Sequence, residues 1–184
     1  MVKRVVFLVI FLIFGFLIMV GGDVLAQEKE MAVSPSVEEV DSFELFWPMV
    51  AGKTRESGIY RIKKLKEEVR GWLIFGKPQK ASYKVFLGVK RVLEAEKLIK
   101  EGKTDLALET LRDAQIDLRS SMNLIETARK VEPGASIDPQ AYSRLVNLEK
   151  LIDWLNEQEN SENVALLLSE VKTRIQDLLM ATTR

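Results

Sequence analysis

Apolar residues recur every three or four positions from residue 57 to the end of the chain, and this spacing constrains the fold more than any other feature. The period matches the 3.6 residues per turn of an α-helix that buries one face. After residue 57 the sequence shows no strict alternation of the kind that predicts a half-buried strand. We therefore expect an all-α domain over residues 57–184, most simply an antiparallel bundle of four to five helices.

Turn signals divide this periodic region into helices. The breaks are Phe75-Gly76-Lys77-Pro78, Gly102 to Asp105, Glu132 to Ser136, and Asn160-Ser161. Ser57 is a suitable N-cap for the first helix, and Thr104 or Asp105 for the third. Asp138-Pro139 is a strong start signal, because an Asp N-cap followed by Pro in the first turn favours a helix.

The first helix carries apolar side chains on one face and basic side chains on the other. We expect the downstream helices to pack against the apolar face, which consists of Ile59, Ile62, Leu65, Val69, Trp72 and Leu73. Basic residues continue into the second helix. The candidate binding surface consists of Arg61, Lys63, Lys64, Lys66, Arg70, Lys77, Lys80 and Lys84, and it extends to Lys90 and Arg91.

Charge is strongly segregated although the whole chain has a formal net charge of zero. Residues 53–103 hold 15 Lys and Arg against six Glu, a net of +9, whereas residues 104–184 have a net of −5. This asymmetry indicates either a basic interaction surface or internal pairing of the basic hairpin with acidic helices. A stripe of four carboxylates follows the hairpin at four-residue spacing: Asp105, Glu109, Asp113 and Asp117. It is typical of a solvated stripe, or of one that faces the basic hairpin.

The N-terminal segment has the pattern of an export signal. Lys3 and Arg4 precede sixteen uncharged apolar residues, 5–20, and Val24-Leu25-Ala26 supplies small residues for cleavage after Ala26. Residues 1–26 therefore predict either a cleaved signal peptide or an uncleaved membrane anchor, and both place the body outside the cytoplasm. Residues 27–42 indicate a flexible acidic spacer. Residues 43–56 form an apolar strap that either covers the helical body or presents a patch to a partner.

The chain contains neither Cys nor His. Disulfides, thiol chemistry, Cys/His zinc sites and His-dependent triads are thereby excluded. Carboxylate, Lys or Tyr chemistry would remain for an enzyme, but we find no catalytic motif, metal-ligand spacing or cofactor fingerprint. The Gly102-Lys103-Thr104 sequence lacks the first glycine of a phosphate-binding loop and lies in a turn between helices. We expect no catalytic residue, no cofactor and no bound metal.

Residues 56–103 resemble a bacterial domain-of-unknown-function family, number five-six-six-seven. The resemblance lies in the entry Ser57-Gly58-Ile59-Tyr60, the Lys-rich helix that follows, and Phe75 before the turn. It continues through Lys80-Ala81 and the stretches over residues 91–96 and 101–103. Gly58 stands where the family has proline, and Gly76-Lys77-Pro78 replaces an Asp-Pro turn. The resemblance implies an exported or membrane-anchored protein with a small helical domain, and it implies no activity.

Together these features predict a non-enzymatic, extracytoplasmic module for interaction or scaffolding at the cell envelope. Its predicted partner is an anionic membrane, a cell-wall surface or an envelope protein, since about five basic residues near an anionic membrane would hold a domain there. Nucleic acid is not expected, because no aromatic residues for base stacking alternate with the charges. Two alternatives remain: a carboxylate- or Lys-dependent envelope enzyme, and a homo-oligomer built on the small-residue seam of residues 107–128.

Overall fold

The computed structural model describes residues 40–182, so the predicted leader and most of the predicted spacer lie outside the described residues. Within this range the chain forms six α-helices and no strand, which confirms the all-α prediction. They are α1 (Ser42–Phe46), α2 (Tyr60–Leu73), α3 (Lys77–Lys100), α4 (Thr104–Arg129), α5 (Pro139–Gln158) and α6 (Glu162–Thr182).

Helices α3 to α6 form the bundle as two antiparallel hairpins. In the first hairpin, Ser121 Oγ of α4 donates a hydrogen bond of 2.9 Å to the carbonyl of Ala81 in α3. In the second, Lys172 Nζ of α6 donates a hydrogen bond of 2.5 Å to Asp153 Oδ1 of α5. Short turns reverse the chain in both, over residues 101–103 and 159–161. The predicted antiparallel arrangement is therefore present within each hairpin.

Helices from different hairpins run parallel where they touch. Along α3 and α5, the backbone N–H of Asp138 donates to Ser82 Oγ at 2.9 Å, and further along both helices Lys100 lies 5.4 Å from the Trp154 ring centroid. The connection over residues 130–138 carries the chain so that α5 lies beside α3. Helix α6 contacts both α4 and α5.

The small-residue seam of α4 is buried inside this bundle. Its members are Ala107, Leu111, Ala114, Leu118, Ser121, Ile125 and Ala128, all of them buried. Gly88 of α3 faces Leu118, and a Cβ on Gly88 would lie only 2.9 Å from Leu118 Cδ2. Close approach of α3 and α4 therefore depends on the missing side chain at Gly88, and the seam joins helices of one chain.

Replacing Gly88 with alanine is expected to destabilise the bundle by about 1 kcal/mol. Overpacking of a dense core costs typically about 1–3 kcal/mol, and the better helix propensity of alanine offsets about 1 kcal/mol of that loss. Urea unfolding followed by circular dichroism measures the change. Gly58→Ala is the control, because no atom lies within 4 Å of a Cβ there. Equal unfolding midpoints for the two variants would contradict the tight contact at Gly88.

The predicted helix starts are correct in part. Asp138 caps α5, since its carboxylate accepts from the Ala141 N–H at 2.8 Å. Ser57 is not a cap: α2 begins at Tyr60, because the Ser57 carbonyl instead accepts the Tyr60 N–H in a preceding turn. Neither Thr104 nor Asp105 is a cap, because both already belong to α4. The turn between α3 and α4 is only three residues long, 101–103, and Gly102 reverses the chain there with a positive φ of 72°.

The strap joins the body through some of its apolar residues only. Phe46 of α1 is buried in the core, whereas Phe43 and Trp47 remain exposed and pack edge to face with ring centroids 4.8 Å apart. Both interpretations of the strap therefore describe part of it. Its buried residues cover the body, and its exposed aromatic pair leaves an apolar patch in solvent.

Candidate functional site

Helix α2 presents its apolar face to solvent. Trp72 is 78% exposed, Phe75 just after the helix is 86% exposed, and Leu65 is 61% exposed. We call the exposed apolar residues of this segment the apolar ridge: Ile59, Ile62, Leu65, Val69, Trp72, Leu73 and Phe75. The expectation that this face packs against the downstream helices is wrong.

The orientation is reversed because the bundle offers α2 a charged surface. On the polar face of α2, the Lys63 ammonium pairs with the fully buried Glu94 of α3. Lys64 pairs with Asp113 of α4 at 2.9 Å. A buried carboxylate without a cation is strongly disfavoured. Apolar side chains turned inward would therefore remove one cation from each carboxylate and leave Glu94 with Arg91 alone.

A second group of contacts holds the middle and end of α2. Glu67 pairs with the Arg91 guanidinium and lies 3.5 Å from Lys90 Nζ. The Tyr83 hydroxyl donates to the Glu67 carbonyl at 3.0 Å. One turn further, a Cβ on Gly71 would lie 3.2 Å from the Tyr83 ring, so the small residue admits that ring. Polar contacts thus attach α2 to the bundle.

Tyr60 lies at the centre of this attachment. Its ring has four cations within 6 Å of the centroid: Lys63 at 5.1 Å, Arg55 at 5.5 Å, Arg91 at 5.7 Å and Lys64 at 5.9 Å. Cations at this range are attracted by the negative face of an aromatic ring. Tyr60 therefore gathers positive groups from the strap, α2 and α3 around one buried side chain.

The pKa values in the attachment reflect burial opposed by charge pairing. Burial raises the pKa of Tyr60 to about 12, although the neighbouring Arg91 and Arg55 oppose the shift. Burial lowers the pKa of Lys63, and its contact with Glu94 opposes that change. Burial also disfavours charge on Arg91, yet Glu67 and Glu94 more than compensate and raise its pKa above the usual range. The guanidinium is thus charged at every pH at which the protein is folded.

The predicted basic surface separates into two groups. Lys63, Lys64 and Lys84 form ion pairs inside the structure, the last with Asp117 at 2.7 Å. Lys90 and Arg91 also pair internally, with Glu67. Five others form no ion pair with any described residue: Arg61, Lys66, Arg70 and Lys77, which are exposed, and Lys80, which is half-buried. We call the four exposed ones, Arg61, Lys66, Arg70 and Lys77, the flanking cations.

The acidic stripe of α4 faces basic residues of the strap and of the basic hairpin. Glu109 and Asp113 pair with Arg55 of the strap, and Asp117 pairs with Lys84, while Asp105 is exposed. Burial raises the pKa of Asp117, and the Lys84 ammonium opposes this. The stripe therefore balances charge within the chain. No group of three or more metal-ligating side chains occurs among residues 40–182.

A cleft of about 320 Å³ lies between α2, α3 and α4. Its walls include four carboxylates, Glu67, Glu68, Asp113 and Asp117, together with Lys64, Lys80, Lys84 and Arg91. Three of the four carboxylates are in ion pairs. The cleft thus brings acidic and basic side chains together beneath α2, and the pairing neutralises most of its charge.

Sequence reasoning missed Tyr60, Glu67 and Glu94 as members of the site. The available signal was charge on the buried face of α3, where Arg91 and Glu94 stand one helical turn apart between apolar residues. Such a pair on a core-facing stripe indicates that something polar covers it. The polar face of α2, with Lys63 and Glu67, covers this pair.

In residues 40–182, none of the helices combines the length and apolar character needed to cross a bilayer. A family model described as "Domain of unknown function (DUF5667)" matches residues 52–158, which is more than half of the chain and extends well beyond the resemblance at residues 56–103. No curated protein and no solved structure matches the chain.

Proposed function

The chain belongs to the DUF5667 family of unknown function, and we propose that it is a non-enzymatic envelope module whose α2 lies on an anionic membrane surface. The observation that carries the proposal is the solvent-facing apolar ridge, together with the exposed flanking cations, which form no ion pair among residues 40–182. An amphipathic helix of this kind lies in the plane of the membrane interface, with apolar residues among the acyl chains and cations at the headgroups. Trp72 suits this depth, since tryptophan favours the interface.

The positions of the flanking cations support a surface orientation. At 100° per residue, Lys66 and Arg70 lie next to one edge of the apolar ridge and Arg61 lies next to the other. The cations therefore border the ridge, while Lys63, Lys64 and Glu67 point toward the bundle. Each Lys or Arg near an anionic membrane is worth about 1 kcal/mol, so the four together suffice for charge-dependent recruitment.

The attachment to the bundle removes the free-energy cost of helix formation that a free amphipathic peptide has when it binds a membrane. A helix of 14 residues is marginal in water by itself. Here the ion pairs to Glu94, Asp113 and Arg91 hold α2 helical before any contact with lipid. An uncleaved leader, which the sequence predicts as one alternative, would hold this preformed surface beside a bilayer.

The charge dependence of vesicle binding tests the proposal. Full-length protein is sedimented with vesicles of phosphatidylcholine alone or with phosphatidylglycerol, over a series of salt concentrations. We expect stronger binding to the anionic vesicles, and we expect the difference to fall as salt rises, because salt screens exposed charges. The neutral vesicles account for any contribution of the leader.

Charge reversal at Arg61 and Lys66 is expected to weaken the preference for anionic vesicles at least tenfold. Each reversal replaces attraction by repulsion of similar size, and 1.4 kcal/mol corresponds to a factor of ten. Lys130→Glu with Lys150→Glu is the matched control, because both lysines are exposed and form no ion pair with a described residue. Equal losses of binding in the two double variants would contradict recruitment through α2. If the protein without vesicles forms dimers, the apolar ridge would instead be the interface with a second copy of the chain.

A second candidate, a carboxylate-dependent envelope enzyme, is favoured by the cleft beneath α2. That cleft brings Asp113 and Asp117 together, and burial raises the pKa of Asp117. The ion pairs to Lys64 and Lys84 argue for a structural role of both residues. Hydrolysis of wall polymer by the protein, lost in Asp117→Asn, would favour the enzyme over the membrane module.

A further inference from the structure

A second concave site lies on another side of the bundle, between the strap, α3 and α5. Its volume is about 460 Å³. We call it the strap pocket. Residues 45–50 form one wall, Phe86 and Lys90 of α3 form another, and four residues of α5 complete it: Gln140, Ser143, Arg144 and Asn147.

The walls of the strap pocket include two cations, Arg144 and Lys90, and Lys90 Nζ lies 3.5 Å from the carboxylate of Glu67. No Asp or Glu lines it, in contrast to the cleft beneath α2. Arg144 makes no ion pair within 4 Å among residues 40–182, although most cations of α3 do. Burial lowers the pKa of Arg144, and the negative charge of Asp138 opposes this. A half-buried guanidinium keeps its charge, so Arg144 offers five N–H donors without an acidic partner.

Aromatic and apolar groups surround this charge. The Arg144 guanidinium lies 5.4 Å from the Phe86 ring centroid, and Lys90 Nζ lies 5.8 Å from the same centroid. Trp47 on the strap side is 68% exposed, beside Pro48 and Met49. A ligand with an apolar body would cover this aromatic surface and exclude water from the guanidinium, which strengthens a charge-assisted hydrogen bond.

The polar residues of α5 suit a peptide backbone. Gln140, Ser143 and Asn147 occupy one face of the helix with Arg144. Asn147 already donates to a main-chain carbonyl, that of Leu45, at 2.8 Å. The side chains of Gln140 and Ser143 make no comparable bond to a described residue, so their polar groups stand beside Arg144 without a partner in the chain.

We propose that the strap pocket binds the C-terminal carboxylate of a peptide that ends in an apolar residue. The carboxylate pairs with the Arg144 guanidinium in the two-bond geometry that arginine favours, and the apolar side chain packs on Phe86 and Trp47. Gln140 and Ser143 bond the last peptide group. This site is independent of the apolar ridge and of membrane binding.

Isothermal titration of the full-length protein in mild detergent tests the proposal. The probes are N-acetyl-alanyl-phenylalanine as the free acid and the same dipeptide as the C-terminal amide. We expect saturable binding of the acid and at least tenfold weaker binding of the amide, because the amide lacks the charge that Arg144 recognises. No saturable binding of the acid at millimolar concentration, or equal affinities for the two probes, would overturn the assignment.

Gln140→Glu tests the role of Arg144 without changing Arg144 itself. Because Gln140 is exposed, we expect this variant to fold like the wild type. The new carboxylate lies one turn before Arg144, where it pairs with the guanidinium and competes with the probe. We expect at least a tenfold loss of acid binding in this variant and in Arg144→Gln, with unchanged circular dichroism. Arg119→Gln, at an exposed arginine of α4, is the control with unchanged affinity. Full affinity in Gln140→Glu would exclude Arg144 as the anchor.

Discussion

Glu94→Gln is expected to lower the free energy of unfolding by about 3 kcal/mol, because it removes one charge from a buried cluster. Glu94 is fully buried and contacts both the Lys63 ammonium and Arg91 Nη1, the latter at 3.2 Å. Glutamine keeps the shape of the side chain but not its charge. In the variant, Arg91, which is 2% exposed, keeps only one carboxylate partner, Glu67, and Lys90 contacts the same carboxylate. Chemical denaturation in urea, followed by circular dichroism, measures the loss.

Replacement of the three central charges separates charge imbalance from packing. The variant with Glu94→Leu, Arg91→Leu and Lys63→Met removes buried charges of both signs and leaves Glu67 beside Lys90, and such replacements are often neutral or stabilising. We expect it to recover most of the stability that Glu94→Gln loses. Glu126→Gln, at an exposed carboxylate without an ion pair to a described residue, controls for charge removal and should unfold like the wild type. A wild-type midpoint for Glu94→Gln would show that α2 does not depend on this carboxylate.

Leu65→Glu combined with Val69→Glu is expected to reduce binding to anionic vesicles roughly a hundredfold. Burial of one Leu or Val side chain is worth about 1.5–3 kcal/mol, and 1.4 kcal/mol corresponds to a factor of ten. Both residues belong to the apolar ridge, so the substitutions remove binding free energy from the contact with lipid. Co-sedimentation with phosphatidylglycerol vesicles, corrected for binding to neutral vesicles, provides the measurement.

The same double variant should fold as stably as the wild type. Side chains already in solvent lose no buried contact when they become charged. Leu166→Glu on α6 is the control, because Leu166 is similarly exposed and lies outside α2. It should leave vesicle binding unchanged. Loss of folding in the double variant would show that the ridge packs against protein, and retained vesicle binding would remove the ridge from the membrane contact.

The positions of the helices could be predicted from the sequence because periodicity and turn residues act locally. Asp138-Pro139 starts α5 as expected, and Gly102 lies in the turn that follows α3, as expected. The cap at Ser57 could not be predicted in this way, because a turn closed by its own carbonyl delays the helix to Tyr60. Local patterns thus predict helices well and their first residues less well.

The orientation of α2 could not be predicted from its own pattern. An amphipathic helix has two faces, and its sequence alone does not state which face meets the protein. The orientation is determined by two residues that are distant in sequence, Glu94 on α3 and Asp113 on α4. Their contacts with Lys63 and Lys64 become visible only once α3 and α4 pack together. Three of the eight residues of the candidate surface, Lys63, Lys64 and Lys84, therefore form ion pairs inside the structure.

Thiol modification of a single introduced cysteine tests the central claim most directly, since the chain has no cysteine of its own. The claim is that α2 turns its apolar ridge to solvent and lays it on an anionic membrane. The Leu65→Cys and Leu166→Cys variants of the full-length protein are treated with a water-soluble maleimide, with and without phosphatidylglycerol vesicles. We predict rapid modification of both thiols in water and strong protection by vesicles of the thiol at position 65 alone. Slow modification at position 65 in water, or equal rates there with and without vesicles, would contradict the account.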